Sequence, residues 1–358
     1  MEHKGLQNVC LLFGGFSSEH EVSCISASTF ALHLNPSFYN VCKIGITKEG
    51  EWLATNATPD QMADGSWVQL SDNTPCIISP CRTHHGMVLF YPDGTTKTQR
   101  IDVVIPALHG LWGEDGTVQG LFELAGIPYV GCGVLASAAC MDKAVANALF
   151  EANGIPHCKW DFATKYALSQ DRTSLLDAFE AKLGYPIFVK PANAGSSVGV
   201  SKADNRAALE AAVDIALAED SKVVFEEAII GQEVECAAIG QNPARASVPG
   251  EVLAGDEFYT YDDKYKNGVS KTVIPAHLSE EKLAEVHDYA LKAYTALGCT
   301  GLSRCDFFVE KDTGRVLINE INTFPGFTGI SMYPTLMEST GLTKAELIDQ
   351  LIAHALCV

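Results

Sequence analysis

RCDFFVEKDTGRVLINEINTFPG, Arg304 to Gly326, is the stretch whose reading decides the architecture. Two apolar runs flank a turn around Asp312 to Gly314, which predicts two adjacent antiparallel strands. Polar residues interrupt both runs: Asp306 in the first, Glu320 and Asn322 in the second. Side chains alternate along a strand, so Glu320 and Asn322 share one face of the segment Ile318 to Asn322 and Ile321 takes the other. Hard oxygen donors on that face, with Asp306 on the neighbouring strand, suit Mg²⁺ bridging nucleotide phosphates. A solvated sheet face is the other reading of the same pattern.

Two lysines upstream bear on that choice. Lys190 closes the apolar strand Ile187 to Lys190, which Gly184-Tyr185-Pro186 introduces, and an unpaired charge buried there is costly. A ligand or a carboxylate must satisfy it. Lys143, in CMDK, follows a small-residue segment. Phosphates would need both cations, although a surface lysine is the plainer account of each. The loop Gly195-Ser196-Ser197-Val198-Gly199 is small enough to lie over a ligand, but it carries neither GxxxxGK[ST] nor GxGxxG. Glu226-Glu227 end the strand that begins at Val223; carboxylates there can accept from ribose hydroxyls or an adenine amino group, while charged strand ends are also common.

Further out, the apolar run Asn8 to Phe13 leads into Gly14-Gly15 and then a stretch of helical spacing from Ser18 to His33. This reads as strand, tight turn, helix, and with further strands at Cys42 to Ile46 and Ile101 to Ala107 it makes an open α/β unit. Its site belongs at the strand ends. A second unit starts near the GCGV of Gly131 to Val134, and a third runs from about Gly231. At 358 residues, with 47% hydrophobic and 19% charged residues, several packed units are expected. The formal charge of −19 argues against nucleic acid and anionic membranes as partners. The 12 cysteines are scattered without CxxC spacing and read as reduced thiols. Met1 to Cys10 has no apolar signal core and no run is long enough to span a bilayer, so the cytoplasm is the expected compartment.

In order along the chain stand FGGFSSEHEVS, LHGLWGEDGTVQG, MDK, FVKPANAGSSVGV, FYTYDDKY, GLSRCDFF and INEINTFPGFTGISMYP. This succession resembles the D-alanine–D-alanine ligases of the ATP-grasp superfamily from about Val9 to about Leu351. The resemblance implies an ATP-grasp fold: an N-terminal open α/β substrate unit over 1–133, and two α+β units over 134–227 and 228–358 that sandwich ATP. The last carries the metal site and a mobile loop. The implied reaction joins two D-alanines through a D-alanyl phosphate, with ATP as co-substrate and two Mg²⁺ or Mn²⁺ ions, for peptidoglycan precursors. The implied partner is a second copy in a homodimer.

The resemblance also implies residue roles. Glu19 holds the ammonium of the first D-amino acid and His109 lies near it, whereas Glu114 shapes its turn. Lys143, Lys190 and Lys264 contact the ATP phosphates, and Glu226 and Glu233 the adenine and ribose. Asp306, Glu320 and Asn322 are the metal ligands. Arg304 and the backbone N–H of Gly326 stabilise the oxyanion, and Tyr265 links to Glu19 and Ser196. Glu227 stands where many relatives have lysine, which leaves the hydrogen bonding on the adenine side open.

Ser331 and Met332 mark the pocket for the second substrate. Met332 suits a methyl side chain because it offers a D-serine hydroxyl no hydrogen bond. GFTGISMYP departs from the commoner pattern just before Met332, and the overall texture of the chain is similar to the D-serine ligases of glycopeptide resistance, which makes D-serine the alternative. A nucleotide-binding ATP-grasp protein without catalysis is the reading from a different class; it would be marked by a lost metal ligand, and none is lost here.

Overall fold

The computed structural model describes residues 6–241, 243–253 and 271–357. The loop expected over Phe258 to Tyr265, with Lys264 and Tyr265, lies outside the described residues. Among the described residues the longer strands form three sheets. In the first, Gln7–Gly14 runs parallel to both Tyr39–Ile46 and Val103–Ala107. Val9 to Phe13 is fully buried, as an unbroken apolar run must be when sheet strands are covered on both faces. Four strands from Trp52–Thr55 to Thr96–Arg100 extend this sheet as an antiparallel meander.

The turn after Gln7–Gly14 requires glycine. Gly14 has φ of 88°, and a Cβ on it would lie 2.2 Å from the Ile46 carbonyl oxygen. Helix His20–His33 follows, and Ser23 fastens it by accepting from the Gly14 N–H at 2.7 Å and donating to the Ala107 carbonyl at 2.5 Å. The sequence thus delivers Glu19 to a fixed point at the C-terminal ends of two parallel strands.

The second sheet, ordered Ser201–Ala203, Ile187–Pro191, Lys222–Glu227, Trp160–Thr164, is antiparallel and has its own apolar core. In the third, Gly231–Gly240 pairs with Gly301–Glu310, which pairs with Val316–Asn322. The expected hairpin is there, turning at Gly314 with φ of 68°. Helices Val134–Met141 and Lys143–Ala152 fall within the stretch read with the central unit, but Ala136, Cys140, Ala146 and Phe150 bury themselves in the core of the third sheet. The i, i+4 pair Ala136 and Cys140 shares one face of its helix, and that face meets the sheet.

The first and last units share a core as well. Phe30 stacks on Phe327 with centroids 4.2 Å apart, and the Tyr39 hydroxyl donates to Asp349 Oδ1 at 2.8 Å. All cysteines are unpaired, and among the described residues no helix is long and apolar enough to cross a membrane.

Gly45 lies against Trp67, which meets Phe13 edge-on with centroids 5.0 Å apart, one residue before the Gly14 turn. Alanine at position 45 would put a Cβ 2.3 Å from Trp67 Cζ3 in a buried wall. Gly45→Ala is expected to lower stability by about 1–3 kcal/mol, read from urea unfolding, because the indole must shift into packed neighbours. An unchanged midpoint would show that this wall yields freely.

Candidate active site

One cavity of about 940 Å³ is lined by strands of the second and third sheets and by Glu19, His109, Gly110 and Glu114 of the first unit. On the floor, Arg304 lies across from Asn322 and Asp306 from Glu320. The register then slips between Asp306 and Phe307, leaving Asn319 as an extra residue in its strand. This irregularity sends both Asn319 and Glu320 to the cavity, which simple alternation does not allow. Asp306 is held tightly: Arg304 Nε donates to its Oδ1 and Nη2 to its Oδ2, each at 2.7 Å, and Asn322 Nδ2 donates to Oδ2 at 3.0 Å. Among the described residues no three His, Cys, Asp or Glu side chains converge on a metal position. Asp306 and Glu320, with the carbonyl oxygen of Asn322, nevertheless make an all-oxygen donor set of the kind a hard divalent cation takes.

Above this floor lie the two lysines. Lys190 Nζ is 2.5 Å from Glu226 Oε2 and 3.5 Å from Asn319 Oδ1. Burial pulls the Lys190 ammonium toward neutrality, but the Glu226 carboxylate outweighs it and holds the pKa above the usual lysine value. Glu226 also accepts from Asn147 Nδ2 at 3.2 Å. Lys143 donates to the Ala194 carbonyl at 2.9 Å and lies 3.9 Å from Glu320 Oε2. Glu227 and Glu233 both line the cavity, and Glu227 accepts from the backbone N–H of Lys159 at 2.8 Å and lies 3.3 Å from its ammonium.

The glycine-rich loop crosses the cavity in a strained form. Ser196 and Ser197 have φ of 49° and 61°, the left-handed region that costs a side-chain-bearing residue about 1 kcal/mol or more. The Ser196 hydroxyl donates to Glu19 Oε1 at 2.5 Å, so the loop of the second sheet is fixed to the first unit. Glycine leaves this carboxylate room on both sides, and a side chain there would push it aside. A Cβ on Gly110 or Gly195 would lie 2.2 or 2.5 Å from Glu19 Oε2.

His109 is buried, with both ring nitrogens engaged. Nδ1 lies 3.1 Å from the Phe324 carbonyl and Nε2 lies 2.8 Å from Ser26 Oγ. A carbonyl only accepts, so Nδ1 carries the proton and Nε2 accepts from Ser26, whose oxygen in turn accepts from the Phe327 N–H at 3.1 Å. Burial pushes the imidazole down to about 4. Beside it, Glu114 accepts from the Gly110 N–H at 2.9 Å and from the Phe324 N–H at 3.0 Å. Burial, and then the Glu19 carboxylate, push Glu114 up to about 8 against the pull of those donors. Glu114 therefore shapes its turn and also ties it to the segment that follows the strand Val316–Asn322.

Gly326, Ser331 and Met332 line the same cavity. The Ser331 oxygen accepts from the Thr328 N–H at 3.0 Å, and buried Met332 opens the helix Met332–Glu338. Sequence reading missed Asn319, Ser26 and Glu235. Glu235 sits two residues after Glu233, and its alternation with that residue was the available signal.

The match to known proteins covers nearly the whole chain. A family model described as D-ala D-ala ligase N-terminus matches residues 8–132, and one described as D-ala D-ala ligase C-terminus matches residues 149–353. The D-alanine–D-alanine ligase of Acetivibrio thermocellus is 49% identical, with 97% of this chain and 95% of that protein covered. That of Caldicellulosiruptor bescii is 47% identical, with 97% and 94% covered. Among solved structures, the VanG D-Ala:D-Ser ligase of Enterococcus faecalis superposes with a TM-score of 0.89 at 37% identity, covering 98% of this chain and all of that one. The fold is accordingly the ATP-grasp fold expected from the sequence. The chain belongs to the D-alanine–D-alanine ligase family, whose members use ATP.

The His109 environment fixes a pH dependence. Above the ordinary imidazole pKa of 6.5 neither the native nor the unfolded state holds the extra proton; between 6.5 and about 4 the unfolded chain takes one that the buried site refuses. His109 therefore contributes a fall in stability as pH drops through that window, on the order of 3 kcal/mol when complete. His109→Gln is expected to be less stable at pH 7 and to lose less stability between pH 6.5 and 4, measured by urea unfolding at each pH. An acid limb as steep as the parent's would contradict the neutral, doubly bonded imidazole.

Proposed function

We propose that this chain joins two D-alanines into D-alanyl-D-alanine at the expense of ATP, through a D-alanyl phosphate, for peptidoglycan precursors. The observation that carries the reading is convergence: the Glu19–Ser196 pair, Lys143, Lys190 and Arg304, and the oxygen donors Asp306, Glu320 and Asn322 open into one cavity. Relatives sharing almost half their residues with this chain carry the name D-alanine–D-alanine ligase.

In this reading the units 1–133, 134–227 and 228–358 divide the work. Glu19 holds the ammonium of the first D-alanine, and His109, working through Ser26 and Phe324, keeps that wall in place. Lys143 and Lys190 hold the ATP phosphates, and Glu226 and Glu233 take the ribose and adenine. Asp306, Glu320 and Asn322 hold two divalent cations, Mg²⁺ or Mn²⁺, which supply charge neutralisation to the transferring phosphoryl group. The D-alanine carboxylate attacks the γ-phosphorus and ADP leaves. The amine of the second D-alanine then attacks the acyl carbonyl, Arg304 and the Gly326 N–H stabilise the oxyanion, and phosphate leaves. Lys264 and Tyr265 complete the set by sequence.

Ser331 and Met332 border the second D-alanine. An apolar Met332 favours a methyl over a hydroxyl, and the structural similarity to a D-Ala:D-Ser ligase makes D-serine the competitor to test. A second copy of the chain is the partner we infer, packing on the N-terminal unit, where Ile25, Leu32 and Phe38 are exposed.

Two outcomes follow. Glu320→Gln is expected to retain the circular dichroism of the parent but less than about a tenth of its turnover at saturating Mg²⁺, a barrier increase of at least ~1.4 kcal/mol. Turnover near the parent's would remove Glu320 from the metal set. With D-alanine and D-serine at equal concentration, mass spectrometry of the products is expected to give mainly D-alanyl-D-alanine; a majority of D-alanyl-D-serine would reassign the second substrate.

A further inference from the structure

Arg304 is held by two carboxylates of different standing. Asp306, two residues along the same strand, takes both arms of the guanidinium, so both of its oxygens are occupied. Glu235 reaches Arg304 from the next strand as an ion pair, with Oε2 2.9 Å from Nε, whose single N–H is given to Asp306 Oδ1. The register sets Glu235 directly across from Asp306, and Asp306 across from Glu320, which puts three carboxylates in a row over three adjacent strands. All three side chains line the cavity, and those of Glu235, Arg304 and Asp306 are at most 15% exposed.

This arrangement sets up a conflict. With the guanidinium fork on both oxygens and Asn322 Nδ2 on Oδ2 as well, Asp306 keeps only one lone pair on Oδ1 for a cation, and the positive guanidinium beside it opposes a second positive charge. Firm cation binding by Asp306 therefore favours release of Arg304. Left without a carboxylate in so closed a site, its charge would be poorly matched and its position unset. Glu235 is already at contact distance from Nε and lies on the side of Asp306 away from Glu320.

We propose that Glu235 is a positioning residue that retains Arg304 when Asp306 turns from the guanidinium to the divalent cation, so that Glu235 sets both the ease of cation binding and the aim of Arg304. This rests on the reading of Asp306 as a metal ligand. Glu235 touches neither the cation nor the substrate in this role. It acts through Arg304.

The test is Mn²⁺ binding followed by electron paramagnetic resonance, on the full chain with a non-hydrolysable ATP analogue, for the parent, Glu235→Gln, Arg304→Met and the double variant. Glu235→Gln removes the second carboxylate and is expected to weaken Mn²⁺ binding by about tenfold, the worth of one hydrogen bond to a charged group. Arg304→Met frees Asp306 and is expected to tighten it. In the Arg304→Met background, Glu235→Gln is expected to change the Mn²⁺ affinity by less than about twofold, since there is no guanidinium left to retain. An equal weakening in both backgrounds would mean a direct charge effect on the cation and would overturn the proposal.

Should Glu235→Gln fail to fold, a crystal structure of the parent with Mn²⁺ and the analogue decides the matter. Asp306 on the metal with Arg304 on Glu235 is the expected result, and Arg304 still bidentate on Asp306 is the contrary one. Either failure leaves the ligase reading standing, because phosphate release that depends on D-alanine tests that separately.

Discussion

Buried carboxylates must be matched by cations or by N–H and O–H donors, and the cavity is where this constraint governs the molecule. The acids lining it show this: Glu226 has Lys190, Asp306 has Arg304 and Asn322, Glu114 has two backbone N–H groups, and Glu19 has the Ser196 hydroxyl. Two of these, Glu114 to the Phe324 N–H and Glu19 to Ser196, join different units, so satisfying buried acids also helps hold the walls in register. It also leaves the site acidic, and substrates bearing phosphate can enter it only with cations alongside.

Packing divides the same walls into two mechanical groups. The first and last units are locked through Phe30 on Phe327 and through Tyr39 to Asp349, and the helices 134–152 lie in the core of the third sheet. The second sheet closes a core of its own. It brings Lys190 and the glycine-rich loop to the cavity, and the Ser196 to Glu19 hydrogen bond ties that loop back to the first unit. The strain at Ser196 and Ser197 is thus held by a residue that the family pattern assigns to substrate binding.

What the sequence made legible was local. The hairpin from Gly301 to Asn322, the strand ending at Lys190 and the glycine turn before Glu19 follow from alternation, apolar runs and turn residues within a few positions of each other. Less accessible were features that depend on how distant segments meet. The extra residue at Asn319 changes which side chains face the cavity, yet the alternation around it looks regular. Glu114 was readable as a turn residue but not as the acceptor of the Phe324 N–H, and nothing near Ser26 announces that it joins His109 to Phe327. Helices 134–152 carry an apolar face, but periodicity does not say which sheet that face will meet. The ordered family motifs supplied the long-range pairing that local physics could not.

The proposed reaction turns on one chemical step, the activation of a carboxylate by transfer of a phosphoryl group to it. Labelling both carboxylate oxygens of D-alanine with ¹⁸O and analysing the inorganic phosphate by mass spectrometry tests this directly. An acyl phosphate requires one labelled oxygen to leave with each phosphate as dipeptide forms. Phosphate carrying no label from D-alanine, released in step with dipeptide, would contradict it.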